Sequence, residues 1–165
     1  MRLLDDYRRS FADAYELVFR RIAEEVLLKP TGRPAKSTTA LIAKLNRETA
    51  RLSQVQDIAG CRLVVEDIAA QEGVVGRLKD LFQDCAVIDR RTHPSHGYRA
   101  VHVVVRVAGN PIEVQVRTEI QHQWAELSEK FSDVEDPAIK YGGGNEVILK
   151  LLAELSELVA QIELL

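Results

Sequence analysis

The chain has 165 residues, 46% of them hydrophobic and 28% charged, and its 22 basic and 25 acidic side chains leave a formal net charge of −3. That length suits one globular domain spanning residues 1–165, able to bury roughly 70% of the surface its unfolded chain exposes. No apolar run approaches the ~18 residues of a membrane helix, the acidic pair Asp5-Asp6 stands where a signal peptide carries positive charge, and the balanced charge excludes a non-specific nucleic-acid coat. Cys61 and Cys85 have no metal-ligand spacing and sit inside apolar runs, so both read as reduced, buried core residues of a cytoplasmic protein.

In chain order, Leu4 to Leu28 carries apolar residues at helical spacing (Phe11, Tyr15, Val18, Ile22, Val26) and predicts one amphipathic helix. Pro30 to Ser37 reads as an exposed loop bearing Arg33 and Lys36, and Thr38 to Leu52 as a second helix with Lys44 and Arg47 about one turn apart. The turn-like Asp57-Ile58-Ala59-Gly60 leads into a strand, Cys61 to Val65. A helix follows at Ile68 to Phe82, then a short strand at Cys85 to Asp89 and a polar loop at Arg90 to Gly97. Tyr98 to Val107 and Ile112 to Arg117 form an antiparallel hairpin, with Gly109 and Asn110 able to take positive φ. Helices at Ile120 to Phe131 and Val147 to Leu165 close the chain, flanking a Gly142-Gly143-Gly144 loop. The order predicts an α+β fold, a mixed sheet flanked by helices. The last helix has a seam of Ile148, Leu151, Leu155, Leu158, Ile162 and Leu165, which either pairs with a second copy or, the favoured reading, packs on the first helix.

Four features carry chemistry. Arg33, Lys36, Lys44 and Arg47 are either a solvated face or a cradle for a polyphosphate. Asp57 is either a turn cap or a metal ligand, with Arg62 five residues on. In Ile112 to Thr118, alternation puts Ile112, Val114 and Val116 on one face and Glu113, Gln115 and Arg117 on the other, which faces either solvent or a cleft. Tyr98, Ala100 and His102 share a face, and the ring and imidazole either stack on a purine nucleoside or belong to the core.

From about Thr31 to about Asp133 these motifs together resemble the synthetase domain of the RelA/SpoT family, which makes the alarmones pppGpp and ppGpp. The resemblance rests on Thr31-Gly32-Arg33 with Lys36 and Lys44, on Asp57 to Arg62, on Gly97-Tyr98-Arg99-Ala100-Val101-His102, and on Glu113 to Arg117. It implies a nucleotidyltransferase-like fold and transfer of the β,γ-pyrophosphate of ATP to the 3′-hydroxyl of GDP or GTP. By the same resemblance Arg33 and Arg62 sandwich the adenine, while Lys36, Lys44 and Arg47 meet the ATP phosphates. Asp57 and Glu113 are catalytic and hold Mg²⁺, with Glu113 as general base. Tyr98 stacks on the acceptor base, and His102, Arg99, Gln115 and Arg117 complete the acceptor site. Two carboxylates meeting at ~4 Å would repel by about 4 kcal/mol at an effective dielectric of ~20, which itself calls for a cation.

One stretch departs from the family. Pro94 and His96 stand where the long synthetases carry a lysine and an asparagine near the acceptor phosphates, leaving Arg90, Arg91 and Arg99 to substitute. Small toxic members share this kind of loop, so the alternative acceptors are the tRNA 3′ end and an adenosine nucleotide, with an antitoxin and a homo-oligomer through the terminal helices as further partners. A non-catalytic nucleotide sensor is the remaining alternative. The family's hydrolase cluster and its carboxyl-terminal regulatory domains have no counterpart in this sequence.

Overall fold

The computed structural model describes residues 2–33, 38, 41, 42, 45, 55 and 57–165. Lys36, Lys44 and Arg47 lie outside them. The amino-terminal helix is two: α1 (Arg2–Arg9) and α2 (Ala12–Arg21), the latter running into a π-helical turn, Ile22–Val26, that ends at Leu27 with φ of 59°. The break has a local cause, because Ser10 Oγ donates to Tyr7 O at 2.7 Å and competes with the helical ladder.

The sheet is mixed and five-stranded, in the order β1-β2-β5-β4-β3, with β1 Thr31–Arg33, β2 Ala59–Val65, β3 Cys85–Asp89, β4 Val101–Val107 and β5 Asn110–Thr118. β1 was expected to be loop. It pairs antiparallel with β2 in the register Thr31↔Arg62, Gly32↔Cys61 and Arg33↔Gly60. On β2, Ala59, Cys61, Leu63 and Val65 are buried while Gly60, Arg62 and Val64 alternate to the more open face. Burial in that apolar face pushes the Cys61 thiol up to about 12, so it stays protonated. Cys85, on the sheet's edge strand, is half-buried rather than a core residue.

The hairpin turn falls one residue before the expected position. Ala108 (φ 49°) and Gly109 (φ 83°) form it, and Asn110 begins β5, its Nδ2 donating to Ser10 O at 3.0 Å. Three further helices follow the expected order: α3 (Ile68–Leu81), α4 (Glu119–Val134) and α5 (Glu146–Ile162), with a 3-10 turn at Ile139–Tyr141. Thr118 caps α4 in a capping box with Gln121, and Asn145 caps α5.

Cα proximity groups the chain into two compact units. The first comprises Met1–Leu63, Val74–Ile88 and His102–Gln115. Its fully buried side chains include Phe11, Ile22, Leu63, Leu78 and Ile112. The second comprises Val64–Gly73, Asp89–Val101 and Val116–Leu165. Here α5 packs on α4, burying Trp124, Ala125, Ile139, Leu152 and Val159 together, and Trp124 Nε1 donates to Leu152 O at 2.9 Å. Of the expected seam, Ile148 and Leu155 pack on this cluster beside the buried Leu152, Ser156 and Val159, while Leu151, Leu158 and Ile162 are exposed. Among the described residues no helix is long and apolar enough to cross a membrane.

Candidate active site

In the first unit, β5 presents Glu113 and Gln115 on the face opposite the fully buried Ile112 and Val114. That face is not open solvent, since the Glu113 side chain is only 15% exposed and that of His102 only 9%. His102 Nδ1 donates to Glu113 Oε1 at 2.9 Å, and Gln115 Nε2 donates to Glu113 Oε2 at 2.8 Å. Burial raises the Glu113 carboxyl's pKa. The hydrogen bond and charge of His102, with the Gln115 amide, outweigh it against the further upward push of the Asp57 charge, so the net position is below the ordinary glutamate range. The Asp57 charge thus reaches Glu113.

β2 completes this face. A Cβ built on Gly60 would lie 3.4 Å from Glu113 Cβ and would overlap the Glu113 carbonyl oxygen, so the two backbones approach where only glycine fits. Arg33 shares a rung with Gly60, and the half-buried Arg62 is one alternation on along β2. His102, expected in the acceptor site, holds Glu113. The hairpin register contains the signal. Counting outward from a turn at Ala108–Gly109 aligns His102 with Gln115 and one diagonal step from Glu113, whereas a turn at Gly109–Asn110 would have aligned it with Arg117.

In the second unit, Ser95 and Tyr98 exchange backbone hydrogen bonds (3.2 and 3.0 Å) across His96 (φ 52°) and Gly97 (φ 85°). Two consecutive positive φ values make this a tight type I′ turn with Tyr98 at its exit. The Arg117 guanidinium lies 4.9 Å from the Tyr98 ring centre, and its Nε and Nη2 donate to Tyr98 Oη at 3.2 and 3.1 Å. Arg117 is buried, so this cation and ring hold one another in a low-dielectric setting. Gly97→Ala would combine the left-handed φ with a Cβ 2.7 Å from Trp124 Cζ2. It is expected to cost about 2 to 4 kcal/mol, read as a melting temperature lowered by roughly 5 to 15 °C.

Of the three arginines expected to stand in for the family's lysine and asparagine, two are engaged elsewhere. Arg91 pairs with Asp89 (2.6 Å) and Glu72 (3.3 Å), and its hydrogen bonds hold the Asp89 carboxyl below the usual range against burial. Arg99 is buried against α5. Arg90 is half-buried.

The profile describing the region found in RelA and SpoT proteins matches residues 32–132. The chain belongs to the RelA/SpoT family. An uncharacterized protein of Mycobacterium tuberculosis is 36% identical over 135 residues, which is 78% of this chain and 50% of that protein. The chain thus spans about half the length of the curated relatives it matches first. A probable chloroplastic GTP diphosphokinase of Arabidopsis thaliana is 32% identical over 96 residues, 56% of this chain and 14% of that one. Among solved structures, the small alarmone synthetase 1 of Bacillus subtilis bound to its product pppGpp superposes with a TM-score of 0.69 at 22% identity, covering 98% of this chain and 91% of that one. The RelA/SpoT chain described here thus has the fold of a small alarmone synthetase.

Proposed function

We propose that this RelA/SpoT chain is a pyrophosphokinase, a single synthetase domain across residues 1–165 that transfers the β,γ-pyrophosphate of ATP to the 3′-hydroxyl of GDP or GTP and releases AMP. The observation that carries the reading is the buried Glu113 carboxylate held by His102 at 2.9 Å and Gln115 at 2.8 Å, with the Asp57 charge acting on it. Family membership and the likeness to a synthetase bound to pppGpp support the same reaction class.

The 3′-oxygen attacks the β-phosphorus of ATP, the bond from that phosphorus to the α,β-bridging oxygen breaks, and AMP leaves with that oxygen. The hydroxyl proton goes to Glu113, which can accept it because it is ionised. Each of its carboxylate oxygens has spent one lone pair on a donor, so lone pairs remain for an incoming hydroxyl. Arg33 and Arg62 offer planar guanidinium faces for the adenine, and Lys36, Lys44 and Arg47 offer charge to the phosphates.

Mg²⁺ fits this donor set. Asp57 adds a second carboxylate whose charge reaches Glu113, and two carboxylates suffice where phosphate oxygens and water complete an octahedron. Asp57 and Glu113 would hold the ion, which neutralises charge building on the transferred phosphates.

The reading is tested by incubating the protein with γ-labelled ATP, Mg²⁺ and, in parallel, GDP, GTP, AMP and bulk tRNA. Label on GDP or GTP, with one AMP released per transfer, is expected; label on none of the four, or on AMP or tRNA alone, overturns it. Tyr98→Ala should raise the KM for the guanine nucleotide by roughly one order of magnitude and leave the KM for ATP unchanged, because base stacking on an aromatic ring is worth about 1 to 3 kcal/mol. Steady-state kinetics with each substrate varied checks it.

A further inference from the structure

The residue after Tyr98 engages every nitrogen of its guanidinium, two of them on α5 and the third on its own loop. Arg99 Nε donates to Ser156 O and Oγ at 3.1 and 3.0 Å, Nη2 to Glu157 Oε1 at 2.8 Å, and Nη1 to the carbonyl of Arg91 at the start of the same loop. Ser156 Oγ in turn donates a hydrogen bond to Gly97 O at 2.7 Å. Both residues flanking Tyr98 are therefore fastened to one turn of α5. Ser156 is 1% exposed and Arg99 7%, so the bonds between these two are desolvated and charge-assisted, whereas the Glu157 partner is 68% exposed and its ion pair lies at the surface. A surface cation in a substrate loop would be aimed outward; this one is turned inward and fully used.

We propose that Arg99 and Ser156 are positioning residues for the acceptor nucleotide, acting through Tyr98, and that α5 is thereby part of the acceptor-binding machinery although it lies beyond the matched region, residues 32–132. The inference rests on the proposed function, which gives Tyr98 the acceptor base. Loss of the Ser156 hydroxyl leaves the Gly97 carbonyl without that donor and removes one of the acceptors on Arg99. The turn then delivers the ring less accurately, while nothing in the first unit's carboxylate site changes.

The test uses Ser156→Ala, which removes one oxygen from a buried position, and Arg99→Lys, which keeps the charge but cannot span Ser156, Glu157 and Arg91 at once. With GDP as the probe, each is expected to raise the KM for GDP about tenfold, the scale of one charge-assisted hydrogen bond, with KM for ATP and kcat within about twofold of wild type. In a Tyr98→Ala background Ser156→Ala should add less than about twofold, because the ring it positions is gone. The fluorescence of Trp124, the chain's one tryptophan and a neighbour of Gly97, should shift on adding GDP to wild type and shift less in Ser156→Ala. The inference is overturned if Ser156→Ala leaves the KM for GDP unchanged, raises both KM values alike, or has the same effect with Tyr98 absent. A wild-type protein that transfers nothing to GDP removes the proposed function and this inference with it; normal wild-type turnover with an indifferent Ser156→Ala removes the inference alone.

Discussion

Glu113→Gln is expected to slow AMP release by about three orders of magnitude while ATP still binds. The substitution keeps the shape and still offers oxygen to one of the two donors, His102 Nδ1 or Gln115 Nε2, that hold the carboxylate at 2.9 and 2.8 Å. What it removes is the negative charge and the basic oxygen, and general-base catalysis contributes on the order of 10² to 10⁴ in rate. Initial rates measured beside calorimetric titration with ATP separate the two effects. A variant with wild-type turnover would show that the proton leaves by another route, and one that no longer binds ATP would show that Glu113 organises the nucleotide pocket instead.

Gly60→Ala is expected to cost about a hundredfold in kcat, although it alters no charged or hydrogen-bonding side chain. Its methyl group would run into the Glu113 carbonyl oxygen, a backbone atom of a central strand that cannot swing aside as a flexible side chain would. β2 and β5 must separate locally, Glu113 moves with its strand, and a displacement of about 1 Å at a reacting group is worth about 10² in rate. The KM for ATP should change far less than kcat. Equal kcat in the two proteins would mean that the strand relaxes without carrying the carboxylate along.

The legible parts of this fold were those written in strand alternation. Ile112, Val114 and Val116 against Glu113 and Gln115 fixed which way β5 faces, and the apolar run from Cys61 fixed β2. β1 was illegible because three residues, one of them glycine, show no period, and its pairing with β2 is a tertiary fact. Ala108 taking positive φ moved the hairpin turn by one position, which set His102 diagonal to Glu113 and made it that carboxylate's partner. Arg99 and Arg117 look alike in sequence, two cations near the motifs. Both are buried, and their partners separate them, since one fastens a loop to a helix and the other holds the Tyr98 ring. Charge is visible in a sequence; desolvation is not. Lys36, Lys44 and Arg47 lie outside the described residues, and their role on the phosphates is part of the proposal.

The account depends on Glu113 remaining ionised in a buried position because His102 and Gln115 outweigh burial and the Asp57 charge. A carboxyl whose folded pKa is depressed stabilises the fold at and above the ordinary glutamate pKa, and that contribution is lost as pH falls through the lower folded value. The most direct measurement follows the side-chain carboxyl ¹³C signal of Glu113, assigned by its absence in Glu113→Gln, through a pH titration of glutamate-labelled protein. The signal should titrate below the ordinary glutamate range, move upward in His102→Ala and move further down in Asp57→Asn. A midpoint above that range in the wild-type protein, or one that neither substitution moves, would contradict the account.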